Sequence, residues 1–331
     1  MAGLRAGVAF ACALLLAAAG HSEGRGFDVQ GHRGARALRP ENTLPAFARA
    51  LELGVSTLEL DLGLSRDGRL VVTHNPRVSH ELCLDAKGKP LPDPGPRVRD
   101  LSLAELRGFD CGRLPADPER FPSPPHEPQP GTPMPTLGEV FELAKERGAA
   151  GVHFNVEVKV DPHSEDTPAV LSIVRTAIEV VQRHGVLART TLQSFDWSAL
   201  RMAREIEPRL RTAALLAPDT VGPEWQSGLT LEEHGDALGL LRAARSYVDD
   251  FSPWWKLLVP GRAYAGRPVE AYQQAGFAVI PWTVNEPETM TRLIDLGIDG
   301  LITDRPDLLM GLAGKLGLRV APALSRARAT R

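Results

Sequence analysis

The stretch from Gly31 to Pro76, GHRGARALRPENTLPAFARALELGVSTLELDLGLSRDGRLVVTHNP, limits what this chain can fold into more than any other. A short apolar run, Phe27 to Gln30, feeds into Gly31-His32-Arg33-Gly34, a polar cluster where a buried strand would end. Pro40 to Thr43 opens a helix, with Asn42 or Thr43 as N-cap and Pro45 in the first turn. Leu44, Phe47, Ala48 and Leu51 form its apolar face, and Gly54 ends it. Thr57 to Leu62 alternates, so Leu58, Leu60 and Leu62 share one face while Glu59 and Asp61 share the other. Asp67-Gly68 makes a turn, and Leu70 to Thr73 is a short strand that delivers His74 beside the acidic pair.

Two carboxylates side by side on a strand repel unless a cation or a proton lies between them. The unit gathers His32, His74, Arg33, Glu41, Glu59 and Asp61 at strand ends. Any one of them alone reads as a solvated surface group. As a set they read as a metal and acid–base site.

Between Arg77 and Pro135 regular periodicity mostly disappears, and thirteen of the 28 prolines fall between Pro90 and Pro135. One short helix is expected from Leu101 to Arg107, with Ser102 and Glu105 as a capping box. The segment reads as an insertion in one domain, because a single alternating pattern resumes after it. Thr136 and Glu139 cap a helix running to Arg147. Val152 to Val160 is the next strand, with Asn155, Glu157 and Lys159 on one face. A helix from Pro168 to Gly185 carries the stripe Val170, Leu171, Val174, Ala177, Ile178 and Val181.

Thr190 to Phe195, Arg211 to Leu216, Tyr247 to Phe251, Phe277 to Val284 (carrying Trp282) and Gly300 to Thr303 complete the strands. Helices are expected over Asp196–Ile206, Leu238–Arg245, Pro268–Ala275, Pro287–Leu296 and Asp307–Leu316. Trp254-Trp255 reads either as a core anchor or as an exposed substrate rim. Strands and helices alternate about eight times over about 250 residues, the size of a (β/α)8 TIM barrel with a Pro-rich insertion after the second strand. A doubly wound open sheet is the alternative, but no Gly-rich dinucleotide loop follows the first strand.

Residues 1–22 read as a signal peptide: Arg5, an apolar run from Ala6 to Ala19, and a small-residue end. That run is too short to span a bilayer comfortably, and nothing later could span one, so no stable membrane anchor is expected. An exported protein, periplasmic or secreted, keeps Cys83 and Cys111, and a disulfide between them is an expectation. A net charge of −3 gives no reason to expect a nucleic-acid partner. Residues 317–331, with four arginines, read as a disordered tail after a domain spanning 27–316 and an insertion over about 77–135.

His-Arg-Gly at 32–34, Pro-Glu-Asn-Thr at 40–43, Glu-x-Asp at 59–61 and His-Asn-Pro at 74–76 together resemble the glycerophosphodiester phosphodiesterase family. The segments 136–160 and 268–310 resemble it as well. The resemblance implies a (β/α)8 barrel that hydrolyses glycerophosphodiesters, a small-molecule substrate, to glycerol 3-phosphate and an alcohol with a divalent metal. It implies Glu59, Asp61 and Glu157 as metal ligands and Lys159 as a phosphate contact. Three oxygen ligands suit one hard cation, Ca²⁺ or Mg²⁺. Arg33 suits a fixed phosphate, and His32 and His74 suit proton transfer to and from the reacting oxygens. Glu41 would bond glycerol hydroxyls or the metal, and Trp282 would pack on the glycerol carbons. Many members carry Asp after the second histidine; Asn75 stands here, so a carboxylate to orient His74 is missing. The alternatives are a phospholipase D-like enzyme acting on lysophospholipids or sphingomyelin, and a non-catalytic exported binding module.

Overall fold

A computed structural model describes residues 26–115, 126–259 and 266–321. The expected signal peptide and the last ten residues of the expected tail lie outside these. Eight parallel strands form the sheet: β1 (Asp28–Gly31), β2 (Thr57–Leu64), β4 (His153–Val158), β5 (Thr190–Ser194), β6 (Arg211–Leu216), β7 (Asp250–Pro253), β8 (Ala278–Val279) and β9 (Gly300–Thr303). Their spatial order is β8-β7-β6-β5-β4-β2-β1-β9. Backbone bonds from Asp299 N to Val279 O (3.0 Å) and Ile302 N to Pro281 O (3.0 Å) bring the two ends together into a ring. A ninth strand, β3 (Leu70–Val72), lies outside the ring and pairs antiparallel with β2.

Ten helices accompany the strands among the described residues: α1 (Leu44–Leu53), α2 (Leu103–Leu106), α3 (Leu137–Glu146), α4 (Val170–Arg183), α5 (Trp197–Ile206), α6 (Leu231–His234), α7 (Ala237–Ala243), α8 (Val269–Gln274), α9 (Pro287–Asp295) and α10 (Pro306–Lys315). Their starts follow local chemistry. Thr43 caps α1, Asp196 caps α5, and full capping boxes open α2 (Ser102, Glu105) and α3 (Thr136, Glu139). Buried apolar side chains of helices and strands merge into one core, in which Trp197, Phe47, Phe154 and Phe251 are fully covered.

Several expectations shift. The strand expected over Tyr247–Phe251 starts at Asp250, because Tyr247 O and the Asp249 carboxylate are spent on Thr212. The strand expected over Phe277–Val284 keeps regular pairing only at Ala278–Val279, before Pro281, which has no N–H to donate. Leu171, placed on the apolar stripe of α4, is 45% exposed in its first turn. The tail is ordered further than expected: Phe27 N donates to Arg319 O (2.7 Å) and Ala321 N to Phe27 O (3.2 Å), beside β1.

The insertion leaves the ring through β3 and builds a small core of its own. Val78, Cys83, Val98, Leu106, Cys111 and Met134 cluster with Val71 of β3. Cys83 and Cys111 are bonded, with Cα atoms 4.0 Å apart. Arg77 and Arg97 both clamp Asp166, at 2.6 Å each, tying the insertion to the loop after β4.

Candidate active site

The turn after β1 is tight because three things converge on it. Gly34 has φ 87°, and a Cβ there would lie 2.6 Å from the Ala46 carbonyl carbon at the start of α1, so only glycine fits. Arg33 is itself left-handed, with φ 50°, a strained state that non-glycine residues keep where surroundings hold them. What holds it is the site. Arg33 N donates to Glu59 Oε2 at 2.9 Å, its Nη1 to Glu41 Oε1 at 2.7 Å, and its Nε lies 3.2 Å from Asp61 Oδ2.

Parallel register sets the acids. Asp61 of β2 pairs with Glu157 of β4, and Glu59 with Asn155. Glu59, Asp61 and Glu157 each bring one carboxylate oxygen within 4.8 Å of the others, and all three are buried. Lys159 bridges two of them, with Nζ 2.6 Å from Glu157 Oε1 and 3.1 Å from Asp61 Oδ1. Asn42 does not cap α1; it is left-handed (φ 56°) and donates from Nδ2 to Asp61 Oδ2 at 2.8 Å. Glu41 receives Arg33 on one oxygen and Arg36 on the other, so the structure sets it behind the guanidinium groups.

The two histidines approach from different places. His32 directly follows β1, and its Nδ1 lies 2.6 Å from Asp304 Oδ1, just past β9. Asn285 donates to the other oxygen of Asp304 at 2.9 Å. His32 Nε2 points inward, 4.0 Å from Glu59 Oε2. His74 follows β3, on the hairpin outside the ring, with Nδ1 2.8 Å from Asn75 Oδ1. The expected carboxylate is absent, and the amide oxygen of Asn75 takes its place as the partner of Nδ1, without the charge. Trp282 donates its indole N–H to Ser252 O at 2.8 Å, and its ring meets Phe195 edge to face at 5.4 Å. Lys159 Nζ lies 6.0 Å from the Phe195 ring centre. Trp254 and Trp255 are half-buried on the core, with Lys256 over both rings.

Charge is shared unequally. Burial would raise Asp61, but Lys159 and Arg33 hold it well below the ordinary range. Glu41 is likewise brought down to about 2 against its burial, by Arg33 and Arg36. Glu59 goes the other way: burial, then Asp61 and Glu157, push it well up. Glu157 also rises, chiefly through burial. Burial lowers both His32 and His74, the latter further by Lys159. Glu59 thus receives two hydrogen bonds, from Arg33 N and from Gln193 Nε2 (2.9 Å), yet sits beside two like charges. Three clustered carboxylates with that imbalance fit a hard divalent cation, which the donor set alone already favours.

The structure gathers His32, Arg33, Glu41, Glu59, Asp61, His74, Glu157 and Lys159 around one opening of the barrel, at the C-terminal strand ends, where barrel enzymes keep their sites. Sequence reading passed over Asp304, Asn285, Arg36 and Gln193. Asp304 had a visible signal, a carboxylate straight after the last strand; the others had none beyond being polar at strand or turn positions.

The model of the "Glycerophosphoryl diester phosphodiesterase family" matches residues 32–308. A glycerophosphodiester phosphodiesterase of Caldanaerobacter subterraneus is 31% identical over 291 residues, covering 87% of this chain and 98% of that one. A crystal structure from Silicibacter pomeroyi, provisionally named a glycerophosphoryl diester phosphodiesterase, superimposes with a TM-score of 0.76 at 31% identity, covering 89% of this chain and 95% of that one. An Oleispira antarctica phosphodiesterase solved with sn-glycerol-3-phosphate shares the fold, with a TM-score of 0.64 at 20% identity over 87% of this chain and 97% of its own. Among the described residues, no helix is long and apolar enough to cross a membrane.

Proposed function

The chain belongs to the glycerophosphoryl diester phosphodiesterase family and is a phosphoric diester hydrolase, and we propose that it cleaves glycerophosphodiesters to glycerol 3-phosphate and an alcohol. The observation that carries this reading is the meeting of two oriented imidazoles, His32 and His74, with Arg33, Lys159 and a buried carboxylate trio at one barrel mouth. The product complex of the Oleispira enzyme supports the same class of small molecule.

In this reading Glu59, Asp61 and Glu157 hold one divalent cation, Ca²⁺ or Mg²⁺. Bound there, it would neutralise charge on the phosphoryl oxygens as a Lewis acid. Arg33 and Lys159 place fixed positive charge beside the same position, where charge grows in the transition state. Glu41 acts on the substrate through the two guanidinium groups it holds. Asp304 accepts from His32 Nδ1, and Asn75 from His74 Nδ1, so each imidazole keeps a lone pair on Nε2. One accepts the proton of the attacking hydroxyl, and the other, once protonated, returns one to the leaving alkoxide. Trp282 and Phe195 give an apolar wall for the glycerol carbons. Export remains part of the proposal, supported by the bonded Cys83 and Cys111, which suit an oxidising compartment.

The test is product identity. Chelator-stripped protein is given glycerophosphocholine with Ca²⁺ or Mg²⁺ restored separately. Glycerol 3-phosphate appearing only with cation supports the reading and selects the ion. Choline phosphate, or turnover of lysophospholipid alone, overturns it.

A further inference from the structure

Inside the barrel, below the acidic cluster, a chain of side-chain amides runs from one carboxylate to another. Gln30 Nε2 donates to Asp28 Oδ2 at 2.7 Å. Asn155 Nδ2 donates to Gln30 Oε1 at 2.8 Å and to Gln193 Oε1 at 3.0 Å. Gln193 Nε2 donates to Glu59 Oε1 at 2.9 Å. Asn155 is 3% exposed and Gln193 1%. Asp28 and Asn155 also line a cavity of about 720 Å³ at the opposite, N-terminal mouth of the barrel, so the chain begins far from the reacting groups.

Its directions are fixed. A cation-bound Glu59 is ionised and only accepts, so Gln193 must turn its NH₂ towards it, and Gln30 likewise donates to Asp28. Both glutamine oxygens then face Asn155, which uses both its N–H bonds to meet them. The cost is visible: Asn155 Oδ1 is buried with no hydrogen-bond partner among the described residues. A buried acceptor left bare is destabilising. Rotating this amide would satisfy nothing, because it would set Oδ1 against two other oxygens. The orphaned atom is the consequence of aiming the NH₂ group at both glutamines.

We infer that Gln193 is a positioning residue, aimed by Asn155, which fixes the Glu59 carboxylate as a cation ligand. With Arg33 N on Oε2 and Gln193 Nε2 on Oε1, the plane of Glu59 is set from both sides. Partners of this kind behind a ligand are worth about 10–100-fold in metal affinity. The inference rests on the proposed cation site.

The experiment is calorimetric titration of Ca²⁺ and Mg²⁺ into chelator-stripped full-length protein, unaltered and as Gln193→Met and Asn155→Asp. Melting temperatures are recorded with and without cation. Gln193→Met keeps an unbranched side chain of similar length and removes the donor; Kd is expected to rise about 10–100-fold. Asn155→Asp can only accept when ionised, so it draws both glutamine NH₂ groups inward and turns Gln193 Oε1 onto Glu59. Its loss of affinity is expected to be at least as large. Wild-type Kd in Gln193→Met, or a melting temperature lowered equally with and without cation, overturns this inference alone. No cation binding by the unaltered protein overturns it together with the metal reading.

Discussion

The imidazole of His74 turns its Nδ1 onto the side-chain oxygen of its own neighbour, Asn75, 2.8 Å away. Across the site His32 uses the same atom to meet Asp304 at 2.6 Å. The two rings are therefore oriented alike but charged differently, one backed by a neutral amide and the other by a carboxylate.

Asn75→Asp should remove that difference. A carboxylate at Asn75 favours the protonated imidazole, which burial and Lys159 now disfavour. The limb of the kcat/KM profile that reports His74 is expected to move to higher pH. A profile that stays in place would take His74 out of the titrating pair.

Asp304→Asn should cost about 10²–10⁴ in kcat with the fold intact, the usual worth of a correctly presented acid–base group. The substituted amide can donate to Nδ1 and so select the wrong tautomer of His32. His32→Ala and His74→Ala should each abolish turnover. Circular dichroism and melting check that the barrel survives; near-normal rates would release the residue from the mechanism.

Glu59→Ala should lose cation affinity as well as rate, measured by titration. In the unaltered protein, cation binding should release protons, because Glu59 and Glu157 hold theirs unusually strongly. Binding enthalpies that do not depend on the ionisation heat of the buffer would contradict this.

The metal-free protein should lose stability as pH rises above 6.5. Glu59 and Glu157 are raised in the folded chain, so above the ordinary value of 4.5 folding binds protons, and rising pH favours unfolding. His32 and His74 are lowered, which adds stability as pH rises towards 6.5 and opposes the glutamates below that point. Above it the glutamates act unopposed by the histidines. Saturating cation should remove the decline, as read from melting temperature against pH.

Replacing Cys83 and Cys111 together by serine should destabilise the insertion by about 3.6 kcal/mol, given the 28-residue separation. Chemical denaturation should show the loss, while the barrel core, which shares no member with the insertion's own cluster, keeps its cooperative transition.

The alternation of Glu59 and Asp61 with Leu58, Leu60 and Leu62 was readable because a strand's period of two leaves no other face for them. Helix starts at Thr136, Ser102 and Asp196 were readable for a similar reason: their caps are local. Asp304 and Gln193 were harder. Each meets its partner across more than a hundred residues of chain, through ring closure and parallel register that no local pattern specifies. The left-handed backbone of Arg33 was equally hidden, since arginine ordinarily avoids it and is held there by Glu59; Asn42, a residue that tolerates it, donates to Asp61 from there. Trp282 could be singled out by its type, but its contact with Phe195 depends on two strands separated by β6 and β7.

Because β3 hangs outside the ring, the two imidazoles belong to different mechanical parts of the molecule. His32 is clamped between the first and last strands, where the barrel closes. His74 rides at the neck of an appendage with its own disulfide and its own anchor on Asp166. Their separation is set by two different joints, the closure of the ring at His32 and the β2–β3 pairing at His74, where Thr73 N donates to Asp61 O at 3.0 Å. Changes to the appendage would reach His74 through β3, the same strand that pairs with the one carrying Glu59 and Asp61.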